Sequence, residues 1–330
     1  MSSFPLVIVN PASADGKTRN AWPEIASDLA THFGAFNRAF TEKPGDGRSL
    51  AEREARQGRR LIIACGGDGT ISEVANGILD SGCDVELGIL PSGTGGDFRR
   101  TIGIPTRSAE AARFLGNGRA RLMDVGRVRY LNHTGVEETR YFLGVASVGM
   151  STDIIGRVKE QGSHGVRSGW LGGKVSFAAA TVRSTLSSSG TGVVVQLDDQ
   201  RERRVTVSNL CIANARYFGG GMKVAPKAML DDGRFDVITI GDLGALKILT
   251  NAHKLYSGTH LEMDEVHQAQ ARVVVVRPAR KDEIVAIEID GELAGRLPAR
   301  FEIVPKAIRV RFQVPGSRFQ VPGCRLKVTG

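Results

Sequence analysis

The chain has 330 residues and a formal net charge of +9, and 41% of its residues are hydrophobic and 6% aromatic. This length allows two domains with a substantial core, and the composition is that of a globular protein. No apolar run approaches the ~20 residues of a membrane span, and the amino terminus lacks the charged segment of a signal peptide. The four cysteines form no CxxC pair. We therefore expect a cytoplasmic protein in a reducing compartment, without a cysteine metal cluster.

The positive net charge predicts acidic partners, such as nucleic acids, anionic membranes or phosphorylated ligands. No basic stretch alternates with aromatic residues as a nucleic-acid stacking surface would, so we do not expect nucleic acid binding. Basic residues concentrate in the stretches Arg99–Arg129 and Arg300–Gly330. These stretches could dock on anionic lipid, and an ordinary solvated surface is the alternative.

The apolar run Leu6–Val9 ends at the turn signal Asn10–Pro11 and predicts a first strand. The following loop carries Gly16–Thr18, the last part of a phosphate-binding P-loop. The first glycine of that motif would fall at Pro11, which supplies neither an N–H group nor a positive φ angle. We interpret this loop as lying near phosphate without being a true P-loop, and a polar loop before a helix is the alternative. A helix to about Phe33 follows.

A weak strand near 35–40, a turn after Thr41 and a charged helix over Arg48–Gln57 come next. The apolar run Leu61–Cys65 then leads straight into Gly66–Thr70, which reads Gly-Gly-Asp-Gly-Thr, and a helical pattern covers Ile71–Leu79. This order predicts a buried strand, a glycine turn and a helix.

The glycines of Gly66–Thr70 lack a Cβ atom, so the N–H groups of the turn can approach a polyanion closely. Thr70 could cap the helix, whose amino terminus favours phosphate. Asp68 would repel a phosphate unless it holds a cation or a bridging water. A tight turn in which Asp68 is only a cap is the alternative.

The next strand, Leu87–Leu90, leads into a second glycine-rich turn, Pro91–Arg100, which contains Asp97. Ligands of open α/β sheets bind beyond the carboxyl ends of the strands. The two glycine-rich turns therefore predict one shared nucleotide site. Repeated alternation of strands and helices over Leu6–Ala112 predicts a mostly parallel sheet with flanking helices.

The pattern changes after Arg121, where short extended segments predict a β-rich second domain, interpreted as a β-sandwich. These segments are Met123–Val128, Phe142–Ser147, Gly192–Leu197, Val205–Ala213, Phe235–Ile240, Ala271–Val276, Ile284–Ile289 and Ile308–Phe312. Trp170–Leu186 is the one helix expected there, either covering a lipid cleft or packing on the sheet.

Two acidic segments in this half are candidate functional sites. Asp231–Gly233 could close a hairpin or bind a metal ion through one carboxylate and nearby carbonyls. Asp290 and Glu292 flank a glycine at the end of a strand, where residues two apart share a face. One of them could be a general base, and a solvated Asp-Gly turn is the alternative.

In the order of these motifs the sequence resembles the diacylglycerol kinase catalytic-domain family of lipid kinases, in its soluble bacterial form. The resemblance is carried by Asn10–Pro11, Thr41, Gly66–Thr70, Pro91–Arg100, Phe218–Met222, Ala225–Gly233 and Asp290–Glu292. Gly66–Asp68 alone would also suit NAD kinases and phosphofructokinases, which share a related nucleotide fold. The resemblance implies an α/β domain over 1–123 that carries ATP, completed by 305–330, and a β-sandwich lipid-substrate domain over 124–304.

The resemblance also implies roles for individual residues. The ATP site would be lined by Asn10, Pro11, Ser13, Thr41, Gly66, Gly67, Asp68, Gly69, Thr70, Glu73, Ser92, Gly93 and Thr94. Asp232 would hold Mg²⁺ with main-chain oxygens near Met229 and Arg234, and Asp68 and Asp97 would join this ion through water or neighbouring groups. Asp97 and Arg100 would bind the substrate. Asp290 or Glu292 would be the general base, with Glu292 preferred, and Asp68 would take part in catalysis.

The activity implied is transfer of the ATP γ-phosphoryl group to the hydroxyl of diacylglycerol or a related lipid. The enzyme would bind peripherally to an anionic membrane, and a homodimer is one assembly to be expected. The alternatives are a kinase of a soluble substrate, as in NAD kinase, and a nucleotide-binding regulator without catalysis. One departure bears on the choice. The family usually has Asn before the aspartate of the second loop, and this chain has Gly96, which could loosen the positioning of Asp97.

Overall fold

A computed structural model of the chain describes residues 4–93, 96–149 and 190–312. Its helices are α1 Lys17–His32, α2 Asp46–Arg56, α3 Asp68–Ser81, α4 Asp97–Ile102, α5 Ser108–Asn117 and α6 Ala245–Ser257, followed by a 3₁₀ turn at Thr259–Glu262. Its strands are β1 Leu6–Val9, β2 Asn37–Phe40, β3 Leu61–Gly66, β4 Glu86–Pro91, β5 Arg119–Asn132, β6 Glu137–Phe142, β7 Val145–Gly149, β8 Thr191–Leu197, β9 Arg203–Ala213, β10 Phe235–Gly241, β11 Val266–Ala271, β12 Val273–Pro278, β13 Ala286–Ile289 and β14 Glu292–Phe312.

The first half of the chain is an α/β domain built on a parallel sheet. Its strands lie in the order β4-β3-β1-β2, and all of these pairs are parallel. Every residue of β1 and β3 is buried, because a parallel sheet in an α/β domain is covered on both faces. The apolar sequences Leu6–Val9 and Leu61–Cys65 therefore form central strands, as the sequence predicts.

The second half is β-rich, and its strands pair antiparallel. Its core contains three fully buried phenylalanines, Phe142, Phe235 and Phe301. The rings of Phe142 and Phe235 stack at a centroid distance of 5.6 Å, and Phe301 meets Phe142 edge-on at 6.3 Å. The fold class predicted from the sequence, an α/β domain followed by a β-sandwich-like domain, is confirmed.

The long strand β14 connects the two halves. It pairs antiparallel with β13 and β12 near its beginning and with β5 along most of its length. Near its end, Arg309 and Val310 pair in parallel with Glu86 and Leu87 of β4. This return to the first sheet supports our proposal that residues from about 305 complete the domain formed by 1–123, with 124–304 as the second domain.

Three local predictions are wrong. Helix α3 begins at Asp68 with Gly67 as its N-cap, so Thr70 lies inside the first turn and does not cap the helix. Residues 231–233 form a bend without a preceding strand, so they close no hairpin. The second half also contains helix α6 at Ala245–Ser257, which was not predicted. The predicted helix Trp170–Leu186 lies outside the described residues.

A glycine in α3 allows helices α2 and α3 to pack closely, and it supplies a test of the fold. A Cβ atom on Gly77 would lie 2.2 Å from the backbone oxygen of Arg48, so Gly77→Ala should lower the free energy of unfolding by about 1–3 kcal/mol. The measurement is urea unfolding followed by circular dichroism. Gly244→Ala is the matched control, because a Cβ atom there meets nothing within 4 Å. Equal stability of the two variants would contradict the close packing.

Candidate active site

The first glycine-rich loop joins β3 to α3 and is fixed by contacts to the loop after β1. A Cβ atom on Gly66 would lie 2.4 Å from Oγ1 of Thr70, so only glycine fits there. The Thr70 hydroxyl oxygen in turn accepts a hydrogen bond of 3.0 Å from Nδ2 of Asn10. Asn10 therefore ties the end of β1 to the first turn of α3.

The second glycine-rich loop, which follows β4, lies directly against the first. A Cβ atom on Gly93 would be 2.6 Å from the Cα atom of Gly67, and the N–H group of Ser92 donates to the carbonyl of Gly66 at 2.9 Å. The Ser92 carbonyl accepts hydrogen bonds from the hydroxyls of Ser13 at 2.9 Å and Thr18 at 2.8 Å. The loops after β1, β3 and β4 thus meet at one edge of the sheet.

Thr18 is part of this junction although the sequence analysis did not select it. Its hydroxyl also lies 2.6 Å from the Ser92 hydroxyl and 2.7 Å from the Ser13 hydroxyl, and its side chain is buried. Its place at the end of the incomplete P-loop motif was the available signal. The predicted site residue Thr94 lies outside the described residues.

Asp68 fastens the second loop to the first. Its carboxylate accepts hydrogen bonds from the N–H groups of Gly96 at 2.8 Å, Asp97 at 3.0 Å and Phe98 at 3.3 Å. These N–H groups lie at the start of α4, whose N-cap residue, Gly96, has no side chain to accept them. Asp68, which belongs to α3, therefore caps the amino terminus of α4.

Asp97 connects α4 to the β-rich half. Its carboxylate accepts hydrogen bonds of 2.8 Å from Nη1 of Arg100 and from the N–H group of Gly220. Burial raises the pKa of Asp97, and the charge of Asp68 raises it further. Gly96 has a φ angle of 70°, in the left-handed region that glycine adopts without strain. Asp97 thus has defined partners without an asparagine at position 96.

Between the two loops lies a cleft of about 200 Å³. It is lined by Gly66, Gly67, Ile71, Pro91, Gly93, Gly96, Arg99, Arg100 and Thr106. Two guanidinium groups and four glycines make this a surface on which backbone N–H groups and positive charge can receive an anion.

The turn between β13 and β14 consists of Asp290 and Gly291, whose φ angles are 49° and 86°. Positive φ angles at both central residues are typical of a tight hairpin turn. The expectation that Asp290 and Glu292 share a face of an extended strand is therefore wrong. The Asp290 carboxylate accepts hydrogen bonds from the N–H groups of Leu143 at 3.1 Å and Gly144 at 2.8 Å, and burial raises its pKa to about 6.

Glu292 points instead towards the first glycine-rich loop. Its Oε1 atom lies 3.0 Å from the position of a Cβ atom on Gly69. Its Oε2 atom accepts a hydrogen bond of 2.8 Å from Nη2 of Arg140, and its side chain is 39% exposed. Arg140 thus fixes the orientation of a partly exposed carboxylate beside the loop.

Glu288 is a second acidic group near the turn that the sequence analysis did not select as a site residue. It is fully buried, accepts a hydrogen bond of 2.5 Å from the N–H group of Gly291, and contacts the hydroxyl of Ser147. Burial raises the pKa of Glu288 to about 7. Because the neighbours Ile287 and Ile289 are buried as well, no alternation in the sequence marked Glu288 as an inward-facing acid.

The predicted metal residues lie around the loop before β10. One carboxylate oxygen of Asp232 accepts a hydrogen bond of 3.1 Å from the N–H group of Arg234, while the side chain of Met229 is exposed. Burial raises the pKa of Asp232, and the charges of Asp124 and Asp231 raise it further. The negative charge gathered here suits a hard cation. Within the described ranges, no cluster of three or more His, Cys, Asp or Glu side chains has metal-binding geometry.

Asp124, which the sequence analysis did not select, organises this region. It is buried at 1% exposure. Its two oxygens accept hydrogen bonds from the N–H groups of Gly233 at 2.6 Å and Lys306 at 2.8 Å. It therefore joins the loop of Asp232 to the part of β14 that leads back to β4.

Two further residues predicted for the ATP site have structural contacts. The carboxylate oxygens of Glu73 accept hydrogen bonds from the N–H groups of Gly45 at 2.8 Å and Gly47 at 3.0 Å, so Glu73 caps the start of α2. Thr41 is buried at the end of β2, and its N–H group donates to the carbonyl of Val9 at 2.9 Å. Their contact with a nucleotide stays a prediction.

Many of the basic side chains are paired with acidic ones. Arg127 and Arg300 both bind Glu302, and Arg309 binds Asp84. Arg119 and Arg121 at the start of β5 are exposed. In the parts of the chain that the structure describes, no helix is long and apolar enough to cross a bilayer.

The buried acid Glu288 gives the protein a predictable dependence on pH. The Glu288 carboxyl group has a pKa of about 7 in the folded protein and the ordinary value of 4.5 in the unfolded chain, so the folded state binds its proton more tightly. The free energy of unfolding should therefore fall as pH rises from about 4.5 to about 7 and then level off. Glu288→Gln should remove a part of this decline worth about 3 kcal/mol, as measured by denaturant unfolding at several pH values.

Glu302 provides the control, because its hydrogen bond with Arg127 lowers its pKa. Its titration has the opposite sign: the stability it contributes is present above the unfolded pKa and is lost as pH falls. Glu302→Gln should therefore leave the decline in place. The same decline in Glu288→Gln and in the unsubstituted protein would contradict the role of Glu288.

The chain was compared with known families and proteins. Residues 5–128 match the diacylglycerol kinase catalytic domain, and residues 153–312 match the YegS C-terminal NAD kinase beta sandwich-like domain. The chain is 28% identical over 306 residues to the diacylglycerol kinase of Bacillus subtilis strain 168, covering 92% of this chain and 94% of that protein. It is 28% identical over 266 residues to the diacylglycerol kinase of Mycobacterium tuberculosis strain H37Rv, covering 80% of this chain and 81% of that protein.

Solved structures show the same fold. The crystal structure of a diacylglycerol kinase from Bacillus anthracis strain Sterne superposes with a TM-score of 0.68 at 21% identity, covering 94% of this chain and 98% of that one. The two domain matches, taken in order along the chain, agree with the motifs, with the junction of glycine-rich loops and with the β-rich second half. Over residues 5–128 and 153–312 the chain therefore matches the two domains of the soluble bacterial diacylglycerol kinase-like family, which is related to the NAD kinases.

Proposed function

We propose that this protein transfers the γ-phosphoryl group of ATP to the hydroxyl group of diacylglycerol or a related lipid. The observation that carries the proposal is the position of Glu292, whose Oε1 atom would lie 3.0 Å from a Cβ atom on Gly69. A carboxylate this close to a phosphate-binding loop can accept the proton of an alcohol that attacks the phosphate.

The nucleotide would bind on the two glycine-rich loops. The close approach of Gly93 to Gly67 and the four glycines among the residues that line the cleft support this, because backbone N–H groups can contact phosphates directly where no side chain intervenes. The relatives named diacylglycerol kinase support a phosphate donor and a lipid acceptor.

The reaction follows from these positions. The lipid hydroxyl oxygen attacks the γ-phosphorus, the bond from that phosphorus to the β–γ bridging oxygen breaks, and ADP leaves. The hydroxyl proton passes to Oε1 of Glu292. Arg140 orients Glu292 by binding its other oxygen. Asp290 holds the loop between β6 and β7, and for this reason we assign the base to Glu292.

Mg²⁺ would be held by Asp232 with main-chain oxygens near Met229 and Arg234. The acidic side chains of Asp124 and Asp231, whose charges act on Asp232, support this, because a concentration of carboxylates favours a hard divalent cation. When bound, the ion would supply positive charge against the phosphates. The exposed Arg119 and Arg121 could hold the protein peripherally on anionic lipid, where each contributes about 1 kcal/mol.

The general base can be tested by phosphorylation of a panel of lipids in mixed micelles with ATP and Mg²⁺. Glu292→Gln should lower kcat by about 10²- to 10⁴-fold, because the amide cannot accept the proton. Asp290→Asn should have a smaller effect on kcat and should lower stability. Glu202→Gln is the matched control, because Glu202 also pairs with an arginine, Arg277, far along the chain from the site.

Three results would reject this proposal. The lipid kinase activity would be rejected if the wild-type protein phosphorylated no lipid hydroxyl. It would also be rejected if the protein phosphorylated a soluble acceptor equally well without lipid. Full activity in Glu292→Gln combined with none in Asp290→Asn would reject the assignment of the base.

Asp68→Ala tests the connection between the loops. Three N–H groups lose their acceptor, so the free energy of unfolding should fall by about 1–3 kcal/mol and turnover should be lost, because Asp97 and Arg100 are no longer aligned. Amide hydrogen exchange of Gly96–Phe98 should accelerate while the core strands stay protected.

Asp84→Ala is the control for this variant, because Asp84 is an exposed aspartate paired with Arg309. Near-normal turnover of Asp68→Ala, or unchanged exchange at Gly96–Phe98, would show that Asp68 does not hold the second loop in place for catalysis.

A further inference from the structure

The side chain of Arg99 lies over Gly96 and occupies the space that a side chain at position 96 would need. A Cβ atom on Gly96 would be 2.9 Å from Nε of Arg99 and 3.7 Å from its Cζ and Nη2 atoms. Both residues line the cleft between the glycine-rich loops. The absence of a side chain at position 96 is therefore what lets the guanidinium group of Arg99 lie at this cleft.

The charge of Arg99 is not neutralised in the way that the neighbouring charges are. Arg100 is paired with Asp97 at 2.8 Å, and the Asp68 carboxylate accepts its three backbone hydrogen bonds. Arg99 donates from Nη1 to the carbonyl of Ile104 at 2.8 Å and, among the described residues, forms no ion pair within 4.0 Å.

The surroundings of Arg99 favour a bound anion. Burial lowers the pKa of Arg99 and the adjacent charge of Arg100 lowers it further, while the charges of Asp68 and Asp97 act in the opposite direction without outweighing them. Two guanidinium groups that share a cleft of about 200 Å³ repel each other, and a negatively charged group between them would offset this cost.

We infer that Arg99 is a phosphate-binding residue of this cleft, and that Gly96 is the residue that makes room for its guanidinium group. The planar guanidinium fork and the backbone N–H groups of the adjacent glycines are suited to phosphate oxygens. The inference rests on the proposed function for the source of the phosphate, which is the nucleotide or a phosphate-bearing lipid acceptor.

The test measures binding to the full chain by calorimetry at low ionic strength, with inorganic pyrophosphate, ATP and adenosine as probes and no lipid present. Arg99→Gln should weaken pyrophosphate and ATP binding about tenfold, the loss expected for one charge-assisted hydrogen bond, and leave adenosine binding unchanged. Arg99→Lys should lose less, because it keeps the charge but not the fork. Arg107→Gln is the control, because the Arg107 side chain is 83% exposed and pairs with Glu110 on α5.

Gly96→Asn provides a second test that leaves Arg99 in the chain. Asparagine tolerates the left-handed backbone at this position, but its Cβ atom would displace the guanidinium group. Its loss of pyrophosphate affinity should match that of Arg99→Gln, and the double variant should lose no more than Arg99→Gln alone. Thermal unfolding of each variant shows whether a loss of affinity reflects a loss of folded protein. If Arg99→Gln does not fold, the affinity of Gly96→Asn for pyrophosphate tests the inference instead.

A second arm identifies the source of the phosphate. Arg99→Gln is assayed on a neutral lipid acceptor and on one that bears a phosphate group. Weaker pyrophosphate and ATP binding assigns the residue to the nucleotide, and a raised KM for the phosphate-bearing acceptor alone assigns it to the lipid. Both results support the inference.

Unchanged binding of pyrophosphate and ATP together with unchanged KM for both acceptors in folded Arg99→Gln would overturn the inference. So would a Gly96→Asn variant that keeps the full affinity that Arg99→Gln loses. If the unsubstituted protein binds pyrophosphate through Arg99 but phosphorylates no lipid, the proposed function fails and the inference stands. If lipid is phosphorylated while neither the binding of the probes nor KM depends on Arg99, the inference alone fails.

Discussion

The candidate site depends on the hydrogen bonds between the Asp68 carboxylate and the three N–H groups of Gly96, Asp97 and Phe98. Glycine-rich turns are suited to phosphate because they have no side chains, and for the same reason they have little to hold them in place. One charged side chain from α3 supplies the missing restraint. A carboxylate that would repel phosphate is here turned towards backbone donors, and the cleft is left to the guanidinium groups.

From this contact the organisation continues into the β-rich half. The Asp97 carboxylate accepts a hydrogen bond from the N–H group of Gly220, and the Asp124 carboxylate accepts hydrogen bonds from the N–H groups of Gly233 and Lys306. Buried or partly buried carboxylates thus bind backbone N–H groups at three of the places where one segment of the site is fixed to another. Bonds to an ionised acceptor are stronger than neutral ones, and a site made of loops needs such bonds to keep its geometry.

Much of the fold could be predicted from the sequence, because β1 and β3 are continuous apolar runs that end in turns, and the glycine motifs mark the edge where ligands bind. The side chains that form contacts between residues far apart in the sequence could not be predicted. Asp68 contacts residues 28 to 30 positions away, and periodicity describes only neighbours. Thr70 was misassigned because α3 starts at Asp68, three residues before the apolar pattern that begins at Ile71. Asp124 and Glu288 were missed because a buried acid in a strand has no short motif.

The pairing of β14 with β4 also determines when the first domain can be completed. The outer edge of β4 is covered by Arg309 and Val310, which are synthesised after the whole of the intervening β-rich half. Until then the α/β half emerges with an open strand edge at β4, and open edges pair readily with other chains. The first sheet therefore gains its β14 neighbour only after the second half has been made, and removing Arg309 and Val310 would expose an edge in the half that was made first.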